Sequence, residues 1–122
     1  MLSKNRHQHY LKFQQVLQEL QTAATQVNLD RAALLAAFRE VQQFFAGHIM
    51  ASDSDEVDPP LSSLERSCLT EIHKQLRLLG MDVSFLQASR VQATAQTRQA
   101  AISDRINTLM GYCEALLQKG AE

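Results

Sequence analysis

The sequence predicts an all-α protein: an antiparallel four-helix bundle with a long third helix and an acidic Pro-Pro linker between helices two and three. Three observations lead there. Four glycines and two adjacent prolines are the only strong breakers in 122 residues, whereas many-stranded β folds need turn residues every ~8–12 positions. Apolar side chains recur at steps of three and four in four separate stretches, the spacing of one helix face. Hydrophobic residues make up 45% of the chain and charged ones 20%, which suits one globular core and not a disordered chain. The expected organisation is a single helical domain over residues 1–122: a helical hairpin (1–50), the linker (51–60) and a second hairpin (61–122). An extended helical hairpin that dimerises to complete its core is the structural alternative.

The first helix is expected over about Ser3 to Val27. Its seam, Tyr10, Phe13, Leu17, Leu20, Ala24 and Val27, keeps heptad spacing throughout, as in bundles and coiled coils. Asn28 or Asp30 supplies an oxygen that can cap the next helix. The second helix, from about Leu29 to Met50, carries Leu34, Phe38, Val41, Phe45 and Ile49 on one side. Leu35 and Phe44 widen that stripe, which suits packing against more than one neighbour.

The segment Ala51–Pro60 (ASDSDEVDPP) differs in kind. Asp53, Asp55, Glu56 and Asp58 repel one another, and Pro59-Pro60 stops helix propagation, so a solvated linker is expected. A calcium loop fails on spacing, because counting from Asp53 puts Asp58 where the loop needs Gly and Leu64 where it needs Glu. Helix three then starts at Ser62-Ser63-Leu64-Glu65, a capping box, and runs to about Ser89 through Leu64, Cys68, Ile72, Leu76, Leu79, Val83 and Leu86. Gly80 inside it predicts a local bend or a close helix crossing. The last connection is expected at Arg90–Thr94, with Thr94 as cap. Ala95, Ile102, Ile106, Leu109, Cys113 and Leu116 line helix four, and Gly120 is its expected stop.

Little in the chain points to catalysis or cofactors. His7, His9, His48 and His73 form no HExxH and no pair at helical spacing, and Glu71-Ile72-His73 has the wrong spacing for a di-iron bundle. Cys68 and Cys113 sit on seams, where thiols act as small buried hydrophobes. No phosphate loop, nucleophile elbow or paired-carboxylate motif is present. A non-enzymatic protein without metal or cofactor is therefore expected. The formal net charge is −1. Outside the acidic run twelve basic residues face nine acidic ones, but they are dispersed without a stripe, so no nucleic acid is expected. There is no apolar run long enough for a membrane span and no signal-type segment, and the expectation is a cytoplasmic protein with reduced thiols.

One surface departs from the pattern of an ordinary solvated helix. Advancing about 100° per residue from Ile72, Leu78, Met81 and Phe85 fall at about 240°, 180° and 220°, opposite the core seam. This apolar strip either packs on the linker or a curved neighbouring helix, or forms an exposed docking or homodimer surface framed by Lys74 and Arg77. On helix four, Arg98, Asp104, Arg105 and Asn107 make a polar face. Arg98 and Arg105, seven residues apart, flank the seam, where local ion pairs or an acidic partner segment could engage them.

The segments EIHKQLRLLGMDVSFLQ (Glu71–Gln87) and QTRQAAISDRINTLMGYCEALL (Gln96–Leu117) resemble the cyanobacterial PatD family of heterocyst-frequency-control proteins, and VQQFF (Val41–Phe45) is compatible with the second helix of that family. The resemblance implies a small cytoplasmic, non-enzymatic helical protein acting through protein contacts. It implies a link to heterocyst differentiation and to cell division regulation, by influence on assembly of the tubulin-like division GTPase FtsZ. Carried over by position, the partner-binding residues are His73, Lys74, Arg77, Leu78, Met81, Asp82 and Phe85. The alternative reading is a generic dimeric helical adaptor or scaffold with no division role.

Overall fold

A computed structural model describes residues 4–49 and 61–121. Helix α1 spans Lys4–Ala24, α2 spans Arg31–Phe44 and continues as a π-helical turn over Phe45–Ile49, α3 spans Ser63–Ala88, and α4 spans Gln92–Ala121. The expected linker, 51–60, lies outside the described residues. Cross-helix bonds give the directions. The Cys113 thiol donates to the Tyr10 carbonyl at 3.3 Å and Gln99 Nε2 donates to the Ala24 carbonyl at 2.7 Å, so α1 and α4 run antiparallel. Arg31 bonds the Leu86 carbonyl at 2.8 Å while Phe45 stacks on His73, so α2 and α3 are also antiparallel. The four helices thus close an up-down-up-down ring, an all-α four-helix bundle with α1 and α3 on one diagonal.

The apolar seams meet in one continuous core. It includes Phe13, Leu17 and Leu20 of α1, Leu34 and Val41 of α2, Ile72 and Leu79 of α3, and Ile102, Ile106 and Leu109 of α4. The π turn has a sequence origin. Val41, Phe45 and Ile49 are spaced four and four, and at 100° per residue two such steps drift about 80° off the core. A π turn rotates less per residue and recovers that drift, and both Phe45 and Ile49 are buried.

Several helix ends differ from the sequence expectation. Helix α1 stops at Ala24, and Val27 is fully exposed beyond it. Thr25 Oγ1 and Gln26 Nε2 donate to the Gln21 and Thr22 carbonyls at 2.8 and 2.7 Å, the Gln21 carbonyl also accepting the Thr25 amide at 3.1 Å, so side chains help to satisfy the carbonyls of the last turn. Asp30, not Asn28, caps α2: its Oδ1 accepts the Ala33 amide at 3.0 Å. Thr94 lies inside α4, which already begins at Gln92, and the α3–α4 connection is only Ser89–Val91. That tight turn is held from outside, because the Arg31 guanidinium donates to the Leu86, Gln87 and Ser89 carbonyls and satisfies the end of α3. Gly120 does not stop α4, which continues to Ala121.

The capping box at the start of α3 forms as expected: Glu65 N–H donates to Ser62 Oγ at 3.1 Å, and Ser62 N–H donates to Glu65 Oε1 at 3.2 Å. The same carboxylate also holds α1. Arg6 meets it through Nε at 3.0 Å and Nη2 at 3.2 Å, a bidentate pair, and the Tyr10 hydroxyl donates to it at 2.9 Å. All three side chains are buried. Burial works to raise the pKa of Glu65, but the Ser62 amide, Arg6 and Tyr10 outweigh it and hold the group below its ordinary 4.5. Burial, and then the negative charge of Glu65, push Tyr10 well above its ordinary 10.0.

Removing one member of a buried pair strands the other. Glu65→Gln is expected to cost about 3–5 kcal/mol at pH 7, read by urea unfolding. Because the folded Glu65 binds its proton less readily than the unfolded one, its contribution is complete above the ordinary 4.5 and is lost as pH falls through the lowered folded value. The gap between wild type and variant should therefore narrow in acid, and a gap that is constant with pH would contradict this account.

Candidate interaction surface on the third helix

With 26 residues, α3 is about 39 Å long, and its rotation about its own axis decides what it shows to solvent. Contacts on three sides fix that rotation. Cys68, Ile72, Leu76, Leu79, Val83 and Leu86 are buried in the core. Towards α2, Gly80 gives the close crossing, since a Cβ added there would lie 3.2 Å from Phe38 Cζ. Towards α4, the Asp82 carboxylate accepts Arg105 Nε at 2.7 Å, and the Arg105 Nη1 donates to Gln75 Oε1 at 2.9 Å. Arg98 stands 4.0 Å from the other Asp82 oxygen, so two guanidinium groups share one carboxylate.

The fourth side faces outward. Met81 is 52% exposed and Phe85 48%, and Leu78 beside them is half-buried. The guanidinium of Arg98 lies 4.7 Å from the centre of the Phe85 ring, a cation–π contact that brings a charge from α4 to the edge of the apolar strip. Lys74 and Arg77 are exposed along the same helix. Arg77 and His73 turn towards α2 and line a groove of about 300 Å³ with Gln42, Phe45, Ala46 and Leu76. The His73 ring stacks on Phe45 at 6.2 Å with an interplanar angle of 11°.

Six of the seven residues expected to meet a partner thus lie on or beside the outward face. Asp82 does not. It is 8% exposed and is spent on Arg105 and Arg98, because its position about 100° from Met81 puts it against α4. Arg98 was not among those seven and belongs to the surface. The seven-residue spacing of Arg98 and Arg105 was the available signal, since it places both on one face of α4, within reach of one acid on the next helix.

Elsewhere, three rings cluster at the π turn: His9 and His48 lie 5.4 Å apart, and His48 stacks on Phe44 at 4.7 Å. The Nδ1 of His9 is buried without a hydrogen-bond partner. Among the described residues no group of three or more His, Cys, Asp or Glu could hold a metal ion. Both cysteines are free and buried, and burial pushes the Cys113 thiol up to about 12 and raises Cys68 as well. Buried thiols held protonated are poor nucleophiles. Among the described residues no helix is long and apolar enough to cross a membrane.

No protein-family model, curated protein or solved structure matches the chain.

The Gly80 crossing holds the outward face in place, and it can be tested directly. Gly80→Leu should lose about 1–3 kcal/mol by overpacking Phe38. Gly111→Ala, where nothing lies within 4 Å of the added methyl, should gain about 0.5–1 kcal/mol from helix propensity. Thermal unfolding followed by circular dichroism reads both. Equal effects at the two glycines would deny the close crossing.

Proposed function

We propose that this protein is a non-enzymatic regulator that works by protein contact from the outward face of α3, in the manner of PatD proteins. Under this reading it acts in the cytoplasm, influences assembly of the division GTPase FtsZ, and through it affects division and heterocyst frequency. The observation that carries the reading is the coincidence of two independent features. The exposed pair Met81 and Phe85 lies within Glu71–Gln87, one of the two segments that resemble the family. Both side chains stand on the side of α3 opposite its packed core seam, and contiguous apolar surface of that kind is common at binding sites. The surface also holds a cation–π pair, Arg98 on Phe85, at the edge where a partner would desolvate it.

Co-sedimentation with GTP-assembled FtsZ polymers tests the partner. Wild-type protein is expected in the pellet with the polymers. The double variant Met81→Asp/Phe85→Asp, with helicity unchanged by circular dichroism, is expected in the supernatant. Folded wild-type protein that stays in the supernatant would remove FtsZ as the partner. Equal pelleting of both proteins would move the contact off α3.

A further inference from the structure

The charges of α3 are divided between its inside and its outside. Its carboxylates are Glu65, Glu71 and Asp82. Glu65 is buried against Arg6, and Asp82 is buried against Arg105. Glu71 is half-buried, at about 260° on the flank towards α4. The exposed charges of α3 are all cations, Arg66, Lys74 and Arg77, and among the described residues none of the three is in an ion pair.

Neighbouring helices do not redress the balance. The α2 side of the groove presents Gln42, Phe45 and Ala46. The α4 side presents Arg98 and Arg105 against the single Asp82, a cluster with a surplus positive charge, and Arg98 keeps 40% of its side chain exposed. The nearest other carboxylate on α4, Asp104, points about 100° away from Arg105 around that helix. The apolar strip of Met81 and Phe85 is therefore bordered by cations along its length, with a groove on one flank.

Resting on the protein-contact reading above, we propose that the outward face of α3 receives an acidic segment of another protein, its apolar side chains on Met81 and Phe85 and its carboxylates on Lys74, Arg77 and Arg98. A second copy of this chain is the poorer occupant. A two-fold dimer would bring this face against itself, two positive patches with only the half-buried Glu71 as a carboxylate beside the strip among the described residues. An acidic segment turns every one of those cations from a repulsion into a neutralised contact. From Lys74 to Phe85 the face is about 17 Å long, which a helical peptide of about 12 residues spans.

The test is a selection that does not presuppose the partner. A phage-displayed library of random peptides about 16 residues long is panned on the full chain, and the enriched peptides are measured by fluorescence anisotropy. Enriched peptides should combine Asp or Glu with Leu, Ile or Phe. Their binding should vanish on Met81→Asp/Phe85→Asp, weaken about tenfold or more on Lys74→Glu/Arg77→Glu, and weaken with salt as expected of unburied charge contacts. Neutral or basic peptides, peptides that bind the variants as well as wild type, or no enrichment would overturn the proposal. A wild-type dimer in light scattering that Met81→Asp/Phe85→Asp makes monomeric would also overturn it, in favour of self-association. If FtsZ fails to bind while acidic peptides bind at α3, the named partner falls and this inference stands. If FtsZ binds but the selected peptides are of another class, this inference falls alone.

Discussion

The carboxylate of Glu65 is the constraint on which the rest of the bundle depends. It caps the start of α3 through Ser62, and with the same oxygens it ties α3 to Arg6 and Tyr10 on the diagonal helix. Diagonal helices of a four-helix ring share few direct contacts, so a bidentate pair at this point joins elements that side-by-side packing leaves free to slide. A buried ion pair is weak support for net stability, because desolvation offsets its attraction. Its value lies in specificity: only one axial position of α1 against α3 satisfies both the guanidinium and the cap. At the other end of the bundle Arg31 does comparable work with backbone carbonyls, joining the start of α2 to the end of α3.

With its start fixed by Glu65, α3 has one remaining freedom, rotation about its axis, and three different forces remove it. The aliphatic seam turns one side inward. Gly80 admits the Phe38 ring on one flank, where a Cβ would lie 3.2 Å from the ring tip and a larger side chain would have to displace it. Asp82 anchors the other flank to Arg105. What remains for solvent is the side with Met81, Phe85 and the cations. The outward face is thus a residue of the packing: Glu65 is drawn in to the buried Arg6 and Asp82 to the part-exposed Arg105 and Arg98, and among the described residues the lysine and arginines outside on α3 are left without an ion pair.

Much of this was legible in the sequence, and the gaps have a common cause. Burial of apolar side chains imposes a period, so the seams from Tyr10 to Ala24 and from Ala95 to Leu116 could be read directly. The Ser62–Glu65 cap is a local contact with a fixed spacing, and it too was legible. Contacts between distant polar residues carry no such period. Nothing near Arg6 announces Glu65, 59 residues away, and nothing near Asp82 says that it faces Arg105 and not water. Val27 shows the opposite failure, a residue that keeps the heptad spacing after the helix has ended. Periodicity cannot see a cap made by Thr25 and Gln26 side chains folding back on the last carbonyls.

A row of exposed cations usually suggests nucleic acid, and here the apolar side chains among them decide otherwise. Phosphate backbones reward positive charge but offer nothing to cover Met81 or Phe85, and single-stranded bases would stack on aromatic rings repeated along a groove. The exposed rings of this face are not repeated along it: Arg98 already lies over Phe85, and His73, on the flank towards α2, already stacks on Phe45. Covering a thioether, a phenyl group and a half-buried leucine needs aliphatic or aromatic side chains, and neutralising the cations around them needs carboxylates. A polypeptide segment supplies both at helical spacing. The near-zero net charge of the chain hides this local asymmetry, because four of its thirteen acidic residues fall in the single run Asp53–Asp58. Net charge therefore says little about this face, where the rule that decides is local: each α3 carboxylate buried against an arginine of another helix, Glu65 on Arg6 and Asp82 on Arg105, removes one anion from the surface of α3.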